Sequence, residues 1–196
     1  NTIHSLSNSN ATAAVWVTGI QYAGTSSGTN VVARNFIHSL STPSTSATAT
    51  VNGINVNSGT TTYQNNMIAL GNGLTNGVQI NGINETVAGT DNLYHNSVFI
   101  GGEEVAGTAN TFAFQSAITF NTRNYRDNIF FNARSNGAGT GKHYAIRVGG
   151  TAPNPSGLIS NNNVLYVTGL GGVTGLFNLV DQLTLTAWQT ATGQDL

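Results

Sequence analysis

One pattern recurs six times along the chain of 196 residues: an Asn, any residue, then a large apolar residue. It reads Asn1-Thr2-Ile3, Asn35-Phe36-Ile37, Asn66-Met67-Ile68, Asn96-Ser97-Val98, Asn128-Ile129-Phe130 and Asn163-Val164-Leu165, at intervals of 34, 31, 30, 32 and 35 residues. Three positions before the Asn stands a further apolar residue at Val32, Tyr63, Leu93 and Tyr125, a column that Ser160 breaks. A second motif interleaves with the first, as Gly19-Ile20-Gln21-Tyr22, Gly53-Ile54-Asn55-Val56, Gly77-Val78-Gln79-Ile80, Ala117-Ile118-Thr119-Phe120 and Ala145-Ile146-Arg147-Val148, with Gly175-Leu176 starting a sixth copy. Its apolar–polar alternation is the period of a strand buried on one face. A unit of about thirty residues built from short strands cannot bury a core alone, but stacked units cover one another's open edges. Coils then lie about 4.8 Å apart, so six span roughly 29 Å. The six Asn form one column, in which stacked amides bond along the axis and satisfy the backbone of a tight turn.

Composition narrows the alternatives. Charged residues are 7% of the chain, with a net charge of −1; a typical soluble protein has about 25%. Six basic residues in the whole chain cannot supply a nucleic-acid footprint. The Ala/Glu/Lys/Leu/Arg-rich periodicity of a coiled coil is missing, and no apolar run approaches the roughly 18 residues of a membrane helix. There is no cysteine, so stability rests on packing and hydrogen bonds rather than disulfides or thiolate-bound metal. A β-sandwich does not require a register held six times, and a propeller blade needs about 40 residues in four strands. The chain opens in mid-pattern, without an initial Met, and is read as one β-helix domain over 1–196, a fragment of something longer.

The Asn-x-apolar columns resemble those of the right-handed parallel β-helices of the pectin-lyase-like superfamily, whose coils carry Asn ladders at a turn. The expected fold is therefore all-β, a right-handed parallel β-helix of about six coils. The tail from Leu183 to Asp195 is similar to one found in β-helix regions of large Bacteroidota surface proteins, where it leads into a further coil. That resemblance, with the low charge and the many small hydroxyl and amide side chains, implies an extracellular or cell-surface bacterial module. The superfamily's catalytic patterns are not carried here. There is no set of acids in register for Ca²⁺, and the polygalacturonase signatures are absent apart from a superficial echo in Ile146-Arg147-Val148. No metal and no cofactor are expected.

Function in a solenoid sits on insertions and on one lateral face. Successive copies of the second motif are spaced by 34, 24, 40, 28 and 30 residues, and the longest interval holds Gly101–Gly107 with Glu103 and Glu104. Aligned on the Asn column, the preceding position reads Arg34, Asn65, His95, Asp127, Asn162, so His95 and Asp127 are neighbours on adjacent coils. Asp91 aligns with Arg123 and Tyr94 with Arg126. Asp91, Tyr94, His95, Arg123, Arg126 and Asp127 are therefore expected on one patch near the root of the Glu103–Glu104 loop. Carboxylates and guanidinium groups bond sugar hydroxyls, Tyr rings stack on sugar faces, and a hydrolase needs two carboxylates at a set separation. Asp127 with Glu103 or Glu104 is the one pairing to nominate, with His95 as an alternative base. The structural alternative is that these are lateral ladder pairs, each contributing about 0.2–1 kcal/mol.

Two further columns carry chemistry. His4 and His38 share a position that continues as Ala69, Phe99, Phe131 and Tyr166. The two His lack a third ligand. The aromatics are either a stacked ladder covered by a loop or core, or an exposed platform for sugars. Thr pairs at 48/50, 60/62 and 184/186 occupy unlike places in the repeat, which argues against a flat ice-binding face. Three functions remain: a stalk or adhesive, glycan-contacting module; a polysaccharide lyase or hydrolase; and a segment of a self-stacking fibre whose open ends are adhesive edges. The partners implied are a polysaccharide or cell-surface glycan and neighbouring coils.

Overall fold

The computed structural model describes residues 1–196 and is a parallel β-solenoid of about six coils. Each coil contributes one strand to each of three sheets, save the last, which adds none to the third. The six-stranded ladder sheet stacks Thr2–His4, Phe36–His38, Met67–Leu70, Ser97–Ile100, Ile129–Asn132 and Val164–Val167 in that order. The broad sheet stacks Trp16–Ala23, Thr50–Ser58, Gln79–Glu85, Thr111–Ser116, His143–Val148 and Gly172–Phe177. The third sheet stacks Asn30–Ala33, Thr61–Gln64, Asp91–Tyr94, Arg123–Arg126 and Leu158–Asn161. All pairings between coils are parallel, and the Asn-x-apolar column is in register from Ile3 through Ile37, Ile68, Val98 and Phe130 to Leu165.

Alternation along each strand decides what is buried. Ile37, Ile68, Val98 and Phe130 of the ladder sheet meet Ile54, Ile83, Phe114 and Ile146 of the broad sheet and Tyr63, Leu93 and Tyr125 of the third in one core cluster. Phe114 sits at its centre, 5.3 Å from Phe130 and 4.6 Å from Tyr125 between ring centroids. Full burial of such a side chain contributes roughly 1.5–3 kcal/mol. Gly82 marks how closely the sheets approach: a Cβ there would lie 2.2 Å from Val98 Cγ1 and 2.4 Å from the Ala113 carbonyl.

Two alignments of the second motif are corrected. Ile54 pairs with Ile83, not Val78, and Ile83 pairs with Phe114, not Ile118. The third and fourth copies are therefore Gly82-Ile83-Asn84-Glu85 and Ala113-Phe114-Gln115-Ser116, and the short and long intervals even out. The false copies satisfied the same alternation. Only the inter-strand hydrogen bonds distinguish them. Glu103–Glu104 forms a short strand paired with Ser135–Asn136, beside the main coil.

The tail differs from expectation. Val180–Gln182 turns back antiparallel onto Gly172–Phe177, and Leu185–Thr192 is a helix. Thr184 is its N-cap, accepting from the Ala187 amide, and Gly193 ends it in the left-handed region at φ 65°. The helix lays Trp188 (0% exposed) over Gly175, where a Cβ would meet the indole at 2.3 Å. The chain then returns Asp195 to the ladder. Asn163 Nδ2 donates to Asp195 Oδ1 at 2.8 Å, Trp188 Nε1 to Oδ2 at 3.0 Å and Ser160 Oγ to Oδ2 at 2.8 Å.

Candidate functional site

The Asn ladder is a continuous hydrogen-bonded column. Asn1 Nδ2 donates to Asn35 Oδ1, Asn35 to Asn66, Asn66 to Asn96, Asn96 to Asn128 and Asn128 to Asn163, each at 2.9 or 3.0 Å. The second amide proton reaches the carbonyl of the previous coil: Asn66 to Val32, Asn96 to Tyr63, Asn128 to Leu93 and Asn163 to Tyr125. Each interior rung also receives a backbone amide, as Asn96 Oδ1 does from Asn66 N at 3.1 Å. This spends the whole donor capacity of the side chain.

The residue before each rung turns the chain from the third sheet into the ladder sheet in the left-handed region. Its φ is 58° at Arg34, 54° at Asn65, 55° at His95, 58° at Asp127 and 57° at Asn162. Asn and Asp adopt that conformation readily, Arg and His less so. All five side chains are exposed and form a polar rim beside the ladder sheet.

The six residues expected on one patch are divided between two sides of the wall. Tyr94 and Arg126 are register partners facing outward, and His95 and Asp127 lie beside them on the rim. Asp91 and Arg123 are register partners too, but both are 0% exposed. The reason is parity: Asp91 shares its face with Leu93, and Arg123 with Tyr125, so they point into the coil. They form no salt bridge with each other, and neither do His95 and Asp127; the molecule's ion pair is Lys142–Asp181. Glu103 is exposed and Glu104 wholly buried, beyond the far end of the strand Ser97–Ile100 from the rim. That strand spans about 13 Å at 3.3 Å per residue, so Asp127 is not set against either Glu.

Inside, Asp91 joins a cluster of polar groups. Its Oδ1 accepts from the Thr61 amide at 3.2 Å, and Tyr125 OH donates to Glu85 Oε2 at 2.7 Å. Asp91 Oδ2, Glu85 Oε1, Tyr63 OH and Thr61 Oγ1 have no hydrogen-bond partner. Burial, then the charge and hydrogen bond of Glu85, push the Asp91 carboxyl up to about 8. Asp91 therefore holds a proton at neutral pH. Burial also pushes the Tyr63 and Tyr125 hydroxyls up. Arg123 Nη1 and Nη2 donate to the carbonyls of Ile118 and Ser156, which leaves the buried Nε without a partner. Parity was the signal in the sequence that places this cluster, and it was overridden by the usual exposure of acids and Arg.

A second buried group lies under the loops at Glu103–Glu104 and Ser135–Asn136. Arg134 donates to the carbonyls of Leu74 at 3.0 Å and Asn76 at 3.0 Å on one coil and of Gly101 at 3.4 Å on the next, locking three coils together. Burial lowers its pKa and raises that of Glu104, each opposed by the other's charge. His143 is held between Thr111 Oγ1 and Asn136 Oδ1, both at 3.0 Å, and burial followed by the Arg134 charge lowers it to about 4.

The outer face of the ladder sheet is apolar. Phe99, Phe131 and Tyr166 stand one per coil with ring centroids 5.2 and 5.1 Å apart, facing outward. His4 and His38 continue the column as a stacked pair at 5.1 Å, each bonding the next residue's hydroxyl, Ser5 and Ser39. Phe36, Met67, Ile129 and Val164 form a parallel exposed row. Where Ala69 and Ser97 interrupt the two rows, a dimple of about 160 Å³ opens between Phe36, Met67, Phe99 and Phe131. No family model, curated protein or solved structure matches this chain.

Proposed function

We propose that this solenoid is an interaction module of a bacterial surface or secreted protein, a stalk or adhesin-like segment that contacts polysaccharide through the outer face of its ladder sheet. The observation that carries the reading is the outward-facing aromatic column of Phe99, Phe131 and Tyr166, in which Tyr166 is exposed and the two Phe rings are half-buried. Exposed contiguous apolar surface on a soluble fold marks an interaction site. The strip is two side chains wide, far narrower than the roughly 800 Å² per partner of a stable protein interface would require. It is long, and its rings repeat about once per hexose length of an extended polysaccharide. The polar rim of Arg34, Asn65, His95, Asp127 and Asn162 runs alongside and offers hydroxyl partners. The pectin-lyase-like resemblance of the coil repeat and the low charge support an extracellular setting.

The test is retention of the protein on an immobilised polysaccharide panel, with released products followed in the same wells. Retention without products, lost in a Phe99→Ala/Tyr166→Ala double variant of unchanged circular dichroism, is the expected result. Retention indifferent to that variant would remove the strip from the mechanism. Products that disappear in Asp127→Ala would replace this reading with a lyase or hydrolase.

A further inference from the structure

The broad sheet carries a different surface on its outer face. Its second and third strands, Thr50–Ser58 and Gln79–Glu85, carry amides locked to one another. Asn81 Nδ2 donates to Asn52 Oδ1 at 2.7 Å, Asn84 Nδ2 to Asn55 Oδ1 at 2.8 Å, Asn55 Nδ2 to Asn57 Oδ1 at 2.6 Å and Gln79 Nε2 to Asn81 Oδ1 at 3.1 Å. Beside this floor stands Trp16, 72% exposed, and the segments carrying Ala47–Thr48 and Thr86–Val87 supply walls. Together they enclose a cleft of about 550 Å³ in which no lining residue is ionisable. That volume falls within the range of small-ligand sites, about 300–1,000 Å³.

We propose that this cleft is a binding site for a neutral saccharide of one or two rings. A sugar hydroxyl both donates and accepts, and an amide offers both functions. Here the amides are already oriented by their mutual bonds, so little side-chain entropy remains to be lost on binding. Their capacity is not exhausted: Asn84 Oδ1, Gln79 Oε1 and Asn57 Nδ2 make no hydrogen bond within the protein. The exposed indole supplies the flat apolar surface that the C–H face of a pyranose covers. A uronate or phosphate would surrender its hydration without meeting a cation, which makes the site selective for uncharged ligands. The cleft and the aromatic strip lie on different sheets, so this inference stands independently of the strip.

The intact chain is titrated with cellobiose, maltose, lactose and N,N′-diacetylchitobiose, with digalacturonate as the charged control, by calorimetry and by tryptophan emission. Trp16 is solvent-exposed and Trp188 sealed against Phe177, so an emission change reports the cleft. At least one neutral disaccharide binds saturably, digalacturonate binds more weakly, and Trp16→Ala and Asn84→Ala each weaken binding at least tenfold. The Phe99→Ala/Tyr166→Ala variant binds the disaccharide normally, which separates failure of the strip from failure of the cleft. Trp16 is 72% exposed and outside the core cluster, so its substitution leaves the fold intact should Asn84→Ala disturb it. No saturable binding of any neutral probe, preference for digalacturonate, or binding that survives Trp16→Ala would overturn the proposal.

Discussion

Replacing Asn96 by Ala tests whether the ladder holds the coils together or merely decorates a turn. Asn96 is 0% exposed. Its side chain donates to Tyr63 O at 2.9 Å and Asn128 Oδ1 at 3.0 Å, and accepts from Asn66 N at 3.1 Å and Asn66 Nδ2 at 2.9 Å. Truncation leaves the Asn66 amide and one Asn66 side-chain proton buried without partners and removes one of the donors to the Tyr63 carbonyl. Each orphaned group costs about 1–3 kcal/mol, so the expected loss is at least about 2 kcal/mol. For a chain of this size that lowers Tm by about 4–8 °C. Asn1 is the internal control: it is exposed and makes a single rung bond, to Asn35 Oδ1. Asn1→Ala is expected to cost less than about 1 kcal/mol. Urea unfolding followed by far-ultraviolet circular dichroism measures both. Losses within about 0.5 kcal/mol of each other would refute the argument, because the interior rung would then owe nothing to its buried partners.

The buried acids and His143 set a pH profile of stability. Asp91 is raised from 3.8 to about 8, so the native state keeps a proton that the unfolded chain releases, and stability falls as pH rises across that window. His143 is lowered from 6.5 to about 4, so its contribution is present above 6.5 and lost as pH falls toward 4. Between about 4 and 6.5 the two slopes oppose and largely cancel; from 6.5 to 8 only the Asp91 slope remains, with a limit of about 1.4 kcal/mol per pH unit. Urea midpoints should therefore be level from pH 4.5 to 6.5 and decline to pH 8, and Asp91→Asn should abolish the decline; a decline unchanged in that variant would contradict the proton held by Asp91. Gly175→Ala places a methyl 2.3 Å from the Trp188 ring and is expected to displace the helix, read as a red shift and increased quenching of Trp188 emission; unaltered emission would show that the tail does not seal the coil as described.

The thirty-residue spacing of Asn-x-apolar triplets was sufficient to specify a solenoid, its coil number and its Asn column, because a short-strand repeat has no other way to bury its apolar faces. It also specified which residues are neighbours along the axis: His95 beside Asp127, Asp91 beside Arg123, Phe99 beside Phe131. Axial neighbourhood does not say which way a side chain points. For Asp91 and Arg123 the parity of the strand, shared with Leu93 and Tyr125, outweighed the tendency of charges to stay in water, and only the packed coil shows how the protonation of Asp91 and the carbonyls of Ile118 and Ser156 make that burial tolerable. The helix at Leu185–Thr192 and the return of Asp195 to the ladder belong to the same class, since a short tail has too little periodicity of its own and takes its shape from the coil it covers. The amide cleft is the clearest case. Its floor comes from two coils, and Trp16 of a third coil and loops far apart in the chain supply its sides, so it exists only once the broad sheet has set Ile54 opposite Ile83 and thereby Asn55 opposite Asn84. Repetition in the sequence determines a one-dimensional stack, while the lateral surfaces where ligands bind depend on register, parity and loop closure, which are properties of the folded coil.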